Sequence, residues 1–393
     1  MKNFYSCEYS IDELNEFRDE NGFIDLDKAK IEFTKESREI VGNIHRNKNW
    51  VNFNGTKALI KGEPTNKEKD YEIYGELIVE EICNQLGIET AHYDLIKYLN
   101  DDEELCYGVL SETMLDINKN ESLMSLHDLI GDEKQRKSNY MTDYEFTVEG
   151  LENRLRKDGY SDKMINDTIL DYKKRLAFSI AVLDEDKHME NISFITGFDD
   201  KGNKHIRISP NYDSEVSLMM GTDIYTVEEY LADYALLKSG VDSVDPKIGL
   251  VKDINEGGFD SPWKDTLEEL CEDDEVYDYY YDILKDSVDM DIVIENVEER
   301  IHAKLPEQVK LLAKASYNIR NNEMEKLMSG EMEVEEASFG FNDILSSLIE
   351  QSTSKAKIRE NEQLQIGRHM ERDIEFNTSI LLANRYNDIF TER

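Results

Sequence analysis

Five polar residues have the types, and the order along the chain, that moving a phosphoryl group off a nucleotide requires. The segment Leu183-Asp-Glu-Asp186-Lys-His-Met-Glu-Asn191 sets an acid, Asp186, five positions before a carboxamide, Asn191. A carboxylate there can hold an acceptor hydroxyl, and an amide oxygen on the same loop can ligate the divalent cation that accompanies the phosphates. Asp and Asn are so abundant in this chain that the spacing alone is a weak signal. The order of what surrounds it is more specific. A hairpin follows, and its exit, Ile206-Arg-Ile-Ser-Pro-Asn-Tyr-Asp213, presents Asp213 where a second metal ligand is needed. Upstream, Lys61 ends the second strand of an earlier hairpin, as a phosphate-binding lysine does, and Glu76 lies on the following helix as its ion-pair partner. Each has a plain alternative: Lys61 as an edge-strand charge, Glu76 as a solvated helix residue, Asp213 as a loop cap. In this order, the chemical reading explains all of them at once. His188 reads as support for its own loop, and the other histidines show no metal-ligand spacing.

Those residues must be held by elements that the patterning makes visible. Trp50-Val-Asn-Phe, Asn54-Gly55 and Thr56 to Lys61 read as a hairpin with a type I′ turn. An amphipathic helix follows from Tyr71 to Leu86, stopped by Gly87, and then strands from Ala91 to Tyr98 and Leu105 to Ser111. Ser10-Ile-Asp-Glu reads as a capped helical turn. Beyond Met114 the pattern is helical over Leu123 to Leu129, Thr147 to Lys157 and Ser161 to Leu183. It is broken by one β island, Asn191 to Phe198 and His205 to Ser209, and is helical again from Thr226 to Met328. The acidic run from Glu268 to Asp274 reads as solvated helix surface, and the Tyr279 to Tyr281 run as core and helix surface. The expected division is an N-terminal extension (1–40), a small α/β lobe (41–114), a large helical lobe (115–330) and a C-terminal helical extension (331–393).

Composition bounds the partners. The 393 residues carry a formal net charge of −40. A broad nucleic-acid surface or an anionic membrane surface needs a field of Lys and Arg, so neither is expected. Any phosphate-bearing ligand must be small and held by a few cations or a divalent metal. Four cysteines without C-x-x-C spacing indicate neither a zinc site nor a disulfide framework. The start of the chain lacks an apolar leader, and no window approaches a membrane span, so a cytoplasmic protein is expected.

At these residues the sequence resembles the HipA-like serine/threonine kinases of bacteria, including compact CtkA-like members. The similar stretches are Asn49 to Lys61, Tyr74 to Ile88, Tyr107 to Met114, Asp186 to Asn191 and Ser209 to Asp213, within residues 45 to 320. The resemblance implies an α+β, two-lobed protein-kinase-like fold with a β-hairpin at the active site and Mg·ATP between the lobes. It implies Asp186 as catalytic base, Asn191 and Asp213 as Mg²⁺ ligands, Lys61 on the α/β-phosphates, Glu76 orienting Lys61, and the backbone of Glu112, Thr113 and Met114 at the adenine edge. The phosphate-covering loop should precede Trp50. Gly42-Asn-Ile-His-Arg-Asn-Lys-Asn49 has one glycine there, with Arg46 and Lys48 as candidate phosphate contacts. Residues 1 to 40 leave no room for the extra barrel of the longer toxin-type members. An antitoxin-type partner is compatible with the resemblance but does not follow from it.

The expected activity is therefore Mg·ATP-dependent phosphorylation of protein hydroxyls, autophosphorylation included. The rival from another class is a pseudokinase or nucleotide-binding interaction module, and a third reading is a kinase of small molecules or lipid headgroups. Intact charged positions favour catalysis.

Overall fold

The structure is a computed structural model that describes residues 5–7, 9–31, 47–54, 56–64, 71–99, 103–115, 121–131, 142–198, 202–249, 262–284 and 288–329. The first part of the chain builds a six-stranded sheet from β1 (Tyr5–Cys7), β2 (Ile24–Asp25), β3 (Asn47–Phe53), β4 (Thr56–Pro64), β5 (Tyr93–Leu99) and β6 (Leu105–Glu112). Its order is β1-β3-β4-β6-β5-β2. The two outer strands pair in parallel, β1 with β3 and β2 with β5, and the inner pairings are antiparallel. Alternation drives one face inward: Val51, Phe53, Ala58 and Ile60 join Ile96, Cys106 and Leu110 in one core. Leu14, Ile24, Leu26 and Ile31 complete it from the start of the chain. The hairpin between β3 and β4 pairs Phe53 with Thr56, and Asn54 takes the left-handed backbone (φ 46°) that a two-residue turn requires. Lys61 does not end its strand. Pairing with β6 as far as Cys106 extends β4 to Pro64, so Lys61 lies inside the sheet opposite Val109.

Between β4 and β5 runs α1 (Glu72–Leu86), which buries Leu77, Ile78, Val79 and Ile82 and stops at Gly87 in the left-handed conformation (φ 67°). Ser10 and Glu13 cap each other's groups at the start of a short 3-10 helix, Asp12–Phe17.

The remainder is mainly helical. Its elements are β7 (Ser122–Ser125), α2 (Leu126–Ile130), β8 (Thr142–Asp143), α3 (Tyr144–Lys157), α4 (Asp162–Ala181), β9 (Ser193–Phe198), β10 (Lys204–Ile208), α5 (Ile224–Ala232) and α6 (Tyr234–Asp242). There follow β11 (Ile248–Gly249), α7 (Pro262–Leu270), α8 (Asp274–Tyr279), α9 (Met290–Ile301) and α10 (Glu307–Ser329). The expected helix at Leu123 is instead β7, which pairs with β9 so that the β island has three strands, ordered β10-β9-β7. Helix α4 runs through this lobe and buries Tyr172, Leu176, Phe178 and Ile180. Arg320 stacks 4.1 Å from the Trp263 ring centroid and donates to the carbonyls of Val241 and Val244 at 2.6 and 2.9 Å, so a buried cation ties α10 to the last turn of α6 and the loop after it.

Part of the acidic excess is structural. Asp143, Asp223, Asp233, Asp273 and Asp289 each accept backbone N–H bonds at the start of α3, α5, α6, α8 and α9. Asp273, in the acidic run, also pairs with Lys173 of α4 at 2.8 Å.

The second half of helix α1 is strapped to α9. Glu80 meets Arg300 at 2.5 Å, Glu81 accepts from Asn296 Nδ2 at 2.6 Å, and Gln85 Oε1 accepts from the Asp289 N–H at 3.1 Å. None of the described helices is long and apolar enough to cross a membrane.

Candidate active site

The site is assembled where β4, α1 and the segment after β10 meet. Lys61 is 5% exposed, which an ammonium tolerates only with anionic partners. Its Nζ lies 3.3 Å from Glu76 Oε1, and it also pairs with Asp213 and Glu215. Glu76 is held on its other side by the Ser214 backbone N–H, 2.8 Å from Oε2. Gly75 is what allows this approach: a Cβ there would stand 2.4 Å from the Glu215 carbonyl oxygen. Asp213 sits in the left-handed region (φ 58°), and its N–H donates to the Tyr93 hydroxyl at 3.1 Å, so the sheet itself fixes the turn that presents it.

Electrostatics follow from this crowding. Burial raises the Glu76 carboxyl, Lys61 opposes the rise, and the charges of Asp213 and Glu215 add to it, leaving it at about 7. Burial likewise pushes the Tyr93 phenol well above its usual value.

The second half of the site is the loop after α4. Asn191 Nδ2 donates to the Asp186 carbonyl at 2.9 Å and to its carboxylate at 3.3 Å. Burial raises the Asp186 carboxyl, with nearby His188 opposing and Asp184 and Asp213 adding to it. His188 Nδ1 accepts from the Glu190 N–H at 3.1 Å, within its own loop. The loop is braced against the Asp213 segment by a buried pair: Lys187 Nζ lies 3.0 Å from Asp184 and donates to the Tyr212 carbonyl at 2.7 Å. Ser214 Oγ, which accepts from Asn211 Nδ2 at 3.0 Å, lies 3.3 Å from Asp184. Arg175, buried on α4, reaches Asn211 Oδ1 and the Ser209 carbonyl.

Of the residues singled out in the sequence, Lys61, Glu76 and Asp213 come together, and Asp186 and Asn191 form their own contact beside them. Glu112 is exposed at the end of β6 opposite Ala58, and the Thr113 N–H donates to the Lys57 carbonyl at 2.9 Å. Thr113 and Met114 are half-buried. Lys48 lies in β3 opposite Lys61. Arg46 and the Lys48 side chain lie outside the described residues. Sequence reasoning missed Glu215, Tyr93, Asp184 and Lys187. Glu215 had no signal among so many acids, whereas Asp184 and Lys187 stood inside the motif.

The carboxylate oxygens of Glu76, Asp213 and Glu215 lie within 4.8 Å of one another. They are hard oxygen donors of the kind a divalent cation takes, and here they surround the Lys61 ammonium.

No family model matches the chain, and no curated protein matches it in sequence. Among solved structures it is similar to CtkA, a proinflammatory kinase of Helicobacter pylori. That likeness has a TM-score of 0.52 at 15% identity and covers 75% of this chain and 96% of that one. HipA of Shewanella oneidensis MR-1, solved with HipB and operator DNA, gives a TM-score of 0.35 at 13% identity over 77% and 69% of the two chains. WaaP in complex with acyl carrier protein gives 0.30 at 8% identity over 67% and 88%. The likeness to CtkA is one of fold: a sheet-based small lobe and a helical large lobe, arranged as in a kinase.

Proposed function

We propose that this chain is a Mg·ATP-dependent serine/threonine protein kinase of the HipA-like type. The observation that carries the reading is the convergence of Lys61, paired to Glu76 at 3.3 Å, with Asp213 beside the Asp186 and Asn191 loop. Each residue then has a task. Lys61 neutralises phosphate charge, and Glu76 keeps its ammonium in place. Asp186, whose carboxyl burial raises and which Asn191 steadies, accepts the proton of the acceptor hydroxyl. Asp213 and Asn191 supply oxygen ligands for Mg²⁺, which when bound draws charge from the phosphoryl oxygens. The backbone from Glu112 to Met114 serves the adenine edge, and the resemblance gives Arg46 and Lys48 to the phosphates.

The test is incubation of the purified chain with Mg·ATP labelled at the γ-phosphate, alone and with a cell lysate, followed by phosphoamino-acid analysis. Label on serine or threonine supports the proposal. Retained nucleotide binding without transfer would make the chain an interaction module, and label confined to small molecules or lipids would move it to another kinase class.

A further inference from the structure

Glu215 has no task in the reading above, although it is part of the same cluster. Its carboxylate pairs with Lys61, as do those of Glu76 and Asp213, and the three acids surround one ammonium. They are not equivalent. Glu76 is 1% exposed in its side chain and locked from behind by the Ser214 N–H. Asp213 has its backbone pinned by Tyr93 and, in the kinase reading, is engaged with the cation. Asp213 and Glu215 are alike in exposure, at 18% and 19% of their side chains, so with Asp213 given to the cation, Glu215 is the carboxylate on Lys61 that the kinase reading leaves without a task.

A nucleotide phosphate offers Lys61 what a carboxylate offers: negative charge on oxygens of similar reach. An ammonium has three N–H donors, and the carboxylates of Glu76, Asp213 and Glu215 already gather around that of Lys61. A phosphate entering this shell must therefore replace an acid rather than join it. We propose that Glu215 occupies on Lys61 the place of a nucleotide phosphate, so that nucleotide binds by exchanging one anion for another and Glu215 sets the affinity. This rests on the kinase reading. It adds an affinity-determining residue that catalysis itself does not require.

The experiment is titration of the full chain with a fluorescent ADP analogue, with Mg²⁺ and with EDTA. The proteins compared are the parent, Glu215→Gln, Lys61→Met and the double variant, each checked for folding by thermal melt. Removing one charge-assisted competitor should tighten ADP binding about tenfold or more, with and without metal. The gain should vanish in the Lys61→Met background, because the effect passes through Lys61. Glu215→Ala, which removes the group altogether, should act in the same direction. Weakened binding in Mg²⁺ with unchanged binding in EDTA would make Glu215 a metal ligand and overturn the proposal. Equal tightening in the Lys61→Met background would reduce it to general repulsion, and no change would also overturn it. If parent and variants all fail to bind ADP, the kinase reading itself falls and takes this inference with it.

Discussion

Replacing Glu76 by Gln should make the protein more stable at alkaline pH while damaging its activity. In the folded chain the Glu76 carboxyl is raised from 4.5 to about 7, whereas in the unfolded chain it returns to its ordinary value. An acid raised in this way binds more protons folded than unfolded, so its stabilising contribution is complete below 4.5 and is lost as pH rises through 7. At about 1.4 kcal/mol per pH unit, keeping it ionised above pH 7 costs about 3 kcal/mol. Gln removes that cost and still offers an oxygen to the Ser214 N–H, and Lys61 keeps Asp213 and Glu215 as partners. Urea unfolding of the two proteins should therefore diverge with pH. The variant should be within about 1 kcal/mol of the parent at pH 5 and about 3 kcal/mol more stable at pH 8. Labelled transfer by the same variant should fall at least about tenfold, because Lys61 loses the group that fixes it. A pH-independent difference, or a Gln variant that is the less stable at pH 8, would refute the account of Glu76 as a buried, crowded carboxylate.

Asp186→Asn and Asp213→Ala should each lower phosphoryl transfer by at least about a hundredfold in a chain that still folds, and wild-type turnover in folded Asp186→Asn would remove Asp186 from the site. ATP binding by calorimetry should fall sharply in EDTA, because a chain of net charge −40 repels free ATP; equal affinity with and without Mg²⁺ would contradict the metal roles given to Asn191 and Asp213. Gly75→Ala, a change that usually stabilises a helix, should here destabilise by about 1–3 kcal/mol and lower activity, since its methyl meets the Glu215 carbonyl at 2.4 Å. A melting temperature at or above the parent's would show that α1 can shift away without harm.

Legibility in the sequence followed the range of the interactions. The β3–β4 hairpin, α1 and its stop at Gly87 are set by local alternation, helical periodicity and turn chemistry, and they were readable to within a few residues. The strand β7 was not. Leu123 and Met124 continue the apolar spacing of Leu126 and Leu129, so the stretch reads as one helix until β9, some seventy residues on, supplies the pairing partner. Two-residue β2 depends in the same way on β5. In the site, Lys61, Glu76 and Asp213 could be picked out because each stands on a recognisable element. Glu215 could not, since its place beside Lys61 comes from the turn at Asp213 and the close approach at Gly75, neither of which is written in local pattern.

The strap between α1 and α9 bears on how such a molecule can be controlled. Glu80 meets Arg300 on one side and accepts from the Tyr93 N–H at 3.1 Å on the other, while His92, whose imidazole is raised to about 10 by the carboxylates of Asp94 and Glu80, stays charged against it. The helix that carries Glu76 is thereby riveted to the sheet and to the helical lobe at once. Swinging this helix outward to switch the site off would strip several charges of their counterparts together. An outward swing of α1 is thereby tied to the release of both β5 and α9.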